Sequence, residues 1–99
     1  MATRAARRSA ETLATGVRIV GMLIVGILVV YILLTLLDAN FGNTFAATVR
    51  DLAERLNLGL SNLFLPANPK VAVTLNYGIA AALWYLITAV VVRLVRRLG

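Results

Sequence analysis

The sequence predicts an all-α protein: an integral membrane helical hairpin of two transmembrane helices, with an extracytoplasmic amphipathic interfacial helix between them. Two long stretches, 19–37 and 71–92, are apolar and carry no charge. At about 1.5 Å per residue they span roughly 28 and 33 Å, close to the hydrocarbon thickness of a bilayer. The chain is also 61% hydrophobic over 99 residues, too apolar for an ordinary water-soluble domain of this size.

The chain divides into one membrane domain, 1–99, with five segments that alternate between polar and apolar character. Those segments are a basic cytoplasmic stretch at 1–18, the first transmembrane helix at 19–37, an outer segment at 38–70, the second transmembrane helix at 71–92 and a basic cytoplasmic tail at 93–99.

Positive charge sets the expected orientation. Basic residues on the short flanks of membrane spans mark the cytoplasmic side, so both termini are expected in the cytoplasm. The outer segment balances three basic residues with three acids. The flanking arginines are candidates for contact with lipid headgroups. They are Arg4, Arg7, Arg8, Arg18, Arg93, Arg96 and Arg97. Because no aromatic residues are interleaved with them, they do not predict nucleic-acid binding. Arginine outnumbers lysine nine to one, which favours a bacterial origin and a bacterial cell membrane.

A helical period marks the outer segment. The apolar residues Phe45, Val49, Leu52 and Leu56 are spaced by four, three and four, and charged residues occupy the opposite face. This spacing predicts an amphipathic helix at about 44–58, capped by Asn43 or Thr44 and ended near Gly59. A helix of this length is marginal alone, so its apolar face is expected to dock on the outer membrane surface or on protein.

The second span differs from the first in its small residues. Asn68 is the expected N-cap and Pro69 the first helical residue. Beyond them, Thr74, Gly78 and Ala82 form a stripe of small residues that allows another helix to approach closely. Together with Trp84 they are the candidate contacts for helix packing or for a partner, although small residues are also simply common in membrane helices.

Four polar side chains are predicted to lie at similar depths in the two spans. Tyr31 and Thr35 lie roughly 4 and 10 Å from the middle of the first span, and Asn76 and Tyr77 roughly 8 and 7 Å from the middle of the second. An amide in hydrocarbon seeks a partner, which predicts a hydrogen-bonded cluster across the hairpin or between subunits.

Several classes of function are disfavoured by what the spans lack. No acidic or basic residue lies inside 19–37 or 71–92, whereas ion-coupled transporters need such groups at membrane depth. The chain has no cysteine and no histidine, and it shows no nucleophile elbow, phosphate loop or metal-ligand spacing. We therefore expect neither an enzyme nor a cofactor.

The outer segment resembles that of the YggT family of small bacterial and plastid membrane proteins. The resemblance lies in Asn40-x-x-Asn43, the apolar helix through Val49, Leu52 and Leu56, and Leu63-Phe64-Leu65-Pro66 before a second span. It covers about residues 36–70 and implies an accessory or assembly factor near the division apparatus or cytochrome complexes. The chain also resembles small uncharacterised actinobacterial membrane proteins.

Two hypotheses of function follow. In the first, the chain is a non-enzymatic membrane protein that acts by helix packing, as an accessory or assembly subunit of a membrane complex or as a homo-oligomer. Its partners are then the lipid bilayer and protein. In the alternative, the chain forms an oligomeric pore, either a tension-gated channel or a holin-like protein, whose apolar lumen gates by dewetting.

Overall fold

A computed structural model describes residues 4–98, which fold into three helices without a strand. They are α1 (Arg4–Leu36), α2 (Thr44–Arg55) and α3 (Pro69–Leu98). The all-helical prediction is confirmed. α1 and α3 are each long and apolar enough to cross a membrane. In the most apolar 18 residues of each helix, only 17% of the residues of α1 and 22% of those of α3 are buried. Most of the apolar surface of both helices is therefore uncovered, unlike that of a core helix in a soluble protein.

Both long helices continue beyond the apolar stretches. α1 includes the basic residues from Arg4 onward, and α3 includes the arginines up to Arg97. α3 begins as predicted, since Asn68 Oδ1 accepts a hydrogen bond from the Lys70 amide at 2.9 Å and Pro69 is the first helical residue.

α1 and α3 pack antiparallel along most of their length. At one end Lys70 Nζ lies 2.9 Å from the Asp38 carboxylate, and at the other Arg96 Nε lies 3.5 Å from Glu11 Oε1. Between these ion pairs Gly21 lies against Thr88, so closely that a Cβ on the glycine would collide with the threonine side chain. The buried positions Ala14, Gly21 and Leu28 recur every seven residues, as in left-handed helix packing.

α2 begins at the predicted cap and ends earlier than predicted. Asn43 Oδ1 accepts a hydrogen bond from the Phe45 amide at 2.9 Å, and it is Asn43 rather than Thr44 that caps the helix. The helix stops at Arg55, three residues before the expected end. Leu58 and Gly59 then have φ of 58° and 75°, a left-handed turn that an α-helix cannot continue through.

The docked face of α2 is rotated from the predicted one. Ala46, Val49 and Ala53 are buried, whereas Phe45 is 65% exposed and Leu52 39% exposed. Leu56 is partly buried, so only Val49 and Leu56 of the predicted face join the core. The physical reason is distance, because small side chains let α2 approach α1 closely and the larger Phe45 and Leu52 do not fit between them. α2 thus packs on protein through its small residues, and its contact with the membrane surface stays a prediction.

Candidate association surface

Trp84 fixes the position of α2 relative to the hairpin. Its indole Nε1 donates to the Leu56 carbonyl oxygen at 2.7 Å, just past the end of α2. Trp84 lies 14 residues beyond Lys70, or about 21 Å along α3. α2 therefore lies alongside the uncharged part of the hairpin rather than beyond its end, where an interfacial helix was expected. Trp84, predicted as a packing residue, makes this contact within its own chain.

Asn76 holds the chain that follows α2. Its side chain is 1% exposed, and Oδ1 accepts from the Phe64 amide at 2.8 Å. Nδ2 donates to the carbonyl oxygens of Ser61 and Phe64, both at 2.8 Å. Within the chain, Asn76 therefore does not form the hydrogen bond across the hairpin to Tyr31 or Thr35 that the sequence suggested as one arrangement. The amide finds its partners in the nearby backbone of the outer segment, which needs these hydrogen bonds because it forms no helix there.

The other members of the predicted polar cluster are only partly brought together. The rings of Tyr31 and Tyr77 meet edge to face, with centroids 4.8 Å apart and an angle of 71°. The Phe41 ring packs on Tyr31 at 5.9 Å. The Thr35 hydroxyl oxygen is buried, and Thr35 lies one helical turn from Tyr31 on the same face of α1. The contact between the helices at this level is thus aromatic packing, in a geometry that such rings favour.

One face of α2 is charged, and apart from the half-buried Arg50 at its edge it is exposed. It consists of Arg50, Asp51, Glu54 and Arg55, which we call the charged face of α2. Arg50 lies 5.4 Å from the centre of the Phe41 ring and 3.9 Å from Asp51. Among the described residues, Arg50–Asp51 is the ion pair of this face. Four charges thus lie on a helix packed against apolar sequence.

The small-residue stripe of α3 takes no part in the contact between α1 and α3. Thr74 and Ala82 are exposed, and a Cβ added at Gly78 would meet no atom within 4 Å. α1 instead contacts α3 through a neighbouring face, where Tyr77 packs on Tyr31 and Thr88 lies against Gly21. The stripe is therefore open to another molecule, while the hairpin uses different residues to close.

The seven flanking arginines lie at the end of the hairpin opposite Lys70. Arg18, Arg93, Arg96 and Arg97 line one cavity of about 450 Å³ between α1 and α3, together with Ala89 and Val92. Arg7 lines a neighbouring cavity of about 300 Å³ with Ala10, Glu11 and Arg96. Arg4 and Arg8 are exposed on α1 and line neither of these cavities.

Reasoning from sequence missed the closest helix contact and the segment that Asn76 binds. Gly16, Gly21 and Gly26 recur every five residues and so form no stripe on one face of the helix. For that reason the sequence did not predict that Gly21 contacts α3. The signal that would have found it is the seven-residue spacing of Ala14, Gly21 and Leu28. The partners of Asn76 are backbone atoms, which no side-chain pattern marks.

Comparison with known proteins gives no relative to reason from. No family model, curated protein or solved structure matches the chain. The resemblance to the YggT family thus stays a prediction, and function is argued from the physical features of the chain alone.

Proposed function

We propose that this chain is a non-enzymatic integral protein of the bacterial cell membrane that acts by helix packing, and that its working form is a homo-oligomer. The observation that carries the proposal is the charged face of α2 beside the uncharged part of the hairpin. In the proposed orientation both termini are cytoplasmic, and the Asp38–Lys70 ion pair lies at the outer boundary of the hydrocarbon.

The depth of α2 follows from the length of the helices. Asp38 and Arg18 are 20 residues apart on the first arm of the hairpin, or about 30 Å, which matches the hydrocarbon thickness. Leu56 is held by Trp84, whose Cα lies about 21 Å inward from Lys70 and whose side chain leans back toward the outer end, so Leu56 lies near the middle of this layer. In a bilayer the charged face of α2 would therefore meet lipid tails if the chain were alone.

That exposure costs too much for a lone chain. A charged residue at the centre of a membrane helix costs about 2.5–3.5 kcal/mol on insertion scales, so the three exposed charges, Asp51, Glu54 and Arg55, cost roughly 8 kcal/mol. This is comparable with the whole stability of a typical domain, about 5–15 kcal/mol. Arginine can reach toward headgroups with its long side chain, but the shorter Asp51 and Glu54 cannot. Protein or water must cover this face.

Charge complementarity favours a second copy of the chain as the cover. On α2, Arg50 and Glu54 form one flank of the charged face, and Asp51 and Arg55 form the other. Copies inserted in one membrane and related by rotation about its normal have equal residues at equal heights. Where two copies meet, Arg50 of one copy then lies beside Asp51 of the next, and Glu54 of the first lies beside Arg55 of the next. Both pairs are attractive, and the open stripe of α3 offers further close contact.

Charge swaps at constant net charge test this proposal. In mild detergent, the oligomer should dissociate at least about tenfold more readily in Arg50→Glu/Glu54→Arg, since close interfacial charge pairs couple by about 1.5 kcal/mol or more. Asp51→Arg/Arg55→Asp should have the same effect, because either swap alone sets like charges together. The quadruple variant restores both pairs and should associate almost as the unaltered chain does. Native mass spectrometry measures the distribution of oligomers.

Two results would count against the homo-oligomer. If the unaltered chain is monomeric and no protein copurifies with it, action by helix packing is wrong. If it is monomeric but holds another membrane protein in fixed ratio, the accessory-subunit role replaces self-association. Circular dichroism of each variant separates loss of association from loss of folding.

The charged face of α2 also favours the pore as a second candidate function, because it would give an oligomer the polar lining that the spans lack. Induced expression separates the two candidates. A holin-like pore should collapse the membrane potential, and a tension-gated channel should protect cells from hypo-osmotic lysis. If neither effect appears, the pore is excluded and packing alone remains.

A further inference from the structure

The cavity between α1 and α3 gathers four arginines at one end of the hairpin. Arg18 comes from α1, and Arg93, Arg96 and Arg97 come from the last turns of α3. No acidic side chain lines this cavity, and among residues 4–98 Arg96 is its one member in an ion pair, with Glu11. The neighbouring cavity, by contrast, contains that carboxylate. Three of the four arginines that line this cavity therefore have no carboxylate partner among residues 4–98.

We propose that this cavity binds the phosphate headgroup of an anionic phospholipid of the inner leaflet. Guanidinium groups suit phosphate because each offers several N–H donors in a fixed fork. The remaining lining, Ala89 and Val92, is apolar and suits the glycerol and first acyl carbons. Basic pockets between membrane helices on the cytoplasmic side bind such headgroups in general.

Position favours a lipid over a soluble phosphate. Arg18 lies about 30 Å from Asp38 along the first arm, and Arg93 about 35 Å from Lys70 along the second, so both lie where the inner hydrocarbon boundary falls. The site rests on this placement of the helix ends in a membrane and not on self-association. A failure of the lipid test and a failure of the charge-swap test are thus distinguishable.

The test is a lipid titration of the full chain in detergent, read by native mass spectrometry. We expect one phosphatidylglycerol per chain to bind in preference to phosphatidylethanolamine. In the triple variant Arg18→Gln/Arg93→Gln/Arg97→Gln, the affinity for phosphatidylglycerol should fall about fivefold for each arginine removed. The reason is that one arginine contributes about 1 kcal/mol to binding at an anionic surface. The matched control, Arg4→Gln/Arg7→Gln/Arg8→Gln, removes the same charge outside the cavity and should change affinity less than about twofold.

Three results would overturn the site. Equal losses in the two triple variants would mean attraction by net charge without a site. Equal binding of both lipids would mean that the headgroup is not read. If inorganic phosphate raises the melting temperature as much as phosphatidylglycerol does, the ligand is soluble phosphate. Should the cavity variant fail to fold, Arg93→Gln compared with Arg4→Gln repeats the test with one charge each.

Discussion

The Trp84 indole nitrogen donates a 2.7 Å hydrogen bond to the Leu56 carbonyl oxygen and so fixes the end of α2 to the middle of α3. The bond spans 28 residues of sequence. Without it, the short α2 would depend on the burial of Ala46, Val49 and Ala53 alone. Trp84 therefore decides where the charged face of α2 lies.

Replacing Trp84 with phenylalanine should release α2. Trp84→Phe keeps an aromatic ring but leaves the Leu56 carbonyl without its donor, at a cost of about 1–3 kcal/mol. Hydrogen exchange should accelerate across Thr44–Arg55, and the melting temperature in detergent should fall. Tyr85→Phe, at a 55% exposed neighbour, is the control and should change neither. Unchanged protection of α2 in Trp84→Phe would show that the bond does not position the helix.

Asn76→Leu should detach the segment around Ser61 and Phe64 without affecting the first span. The variant loses three hydrogen bonds and leaves backbone groups unpaired, so we expect the free energy of unfolding to fall by about 1–3 kcal/mol. A double-mutant cycle with Tyr31→Phe should be additive within about 0.5 kcal/mol, because the two side chains share no hydrogen bond. The exposed Asn62→Leu is the matched control. Coupling above that limit would restore the predicted cluster across the hairpin.

Gly21→Ala should destabilise the hairpin although alanine is the better helix former. The added Cβ would collide with Thr88, and overpacking of this kind costs about 1–3 kcal/mol. Gly16→Ala meets nothing within 4 Å and should be neutral or stabilising by up to about 1 kcal/mol. Thermal unfolding in detergent measures both. Adding Thr88→Ala should recover part of the loss at Gly21, and a Gly21→Ala protein as stable as the Gly16→Ala protein would refute the close contact.

Gly78→Leu should weaken association while leaving the single chain intact. A Cβ at this position meets no atom within 4 Å in the hairpin, whereas a leucine side chain would displace a helix packed on the stripe. We expect the dissociation constant of the oligomer to rise about tenfold, as for an overpacked contact of about 1.4 kcal/mol. Gly26→Leu, at an equally open glycine of α1, is the control. Equal association of the two variants would remove the stripe from the interface.

The proposed topology has a direct test. Reporter fusions at Met1 and Gly99 should both read cytoplasmic, because the arginines flank the spans at these ends. The chain has no cysteine, so a single Ala67→Cys gives a unique thiol at the exposed outer end and leaves the cap Asn68 in place. An impermeant thiol reagent should label it in intact cells. Labelling only after permeabilisation would reverse the orientation.

The sequence by itself determined the helices and their approximate limits. The features that predicted them are local: an uncharged run long enough to span a membrane, apolar residues spaced by four, three and four, and the helix caps Asn43 and Asn68. Each feature determines the backbone conformation of residues only a few positions away. The helix predicted at about 44–58 is α2, and Pro69 begins α3 as expected. The open state of Gly78 is likewise compatible with the contact role predicted for it.

Only the tertiary structure decided how these helices face one another. Gly21 meets Thr88 because small residues set the distance of closest approach, and that choice depends on both helices at once. Trp84 and Asn76 bind backbone atoms of Leu56, Ser61 and Phe64. Every residue carries such atoms, so no pattern of side chains distinguishes the ones that bind. Their pairing emerges when a segment without helical hydrogen bonds folds against the hairpin, and it is this pairing that brings the charged face of α2 beside apolar sequence.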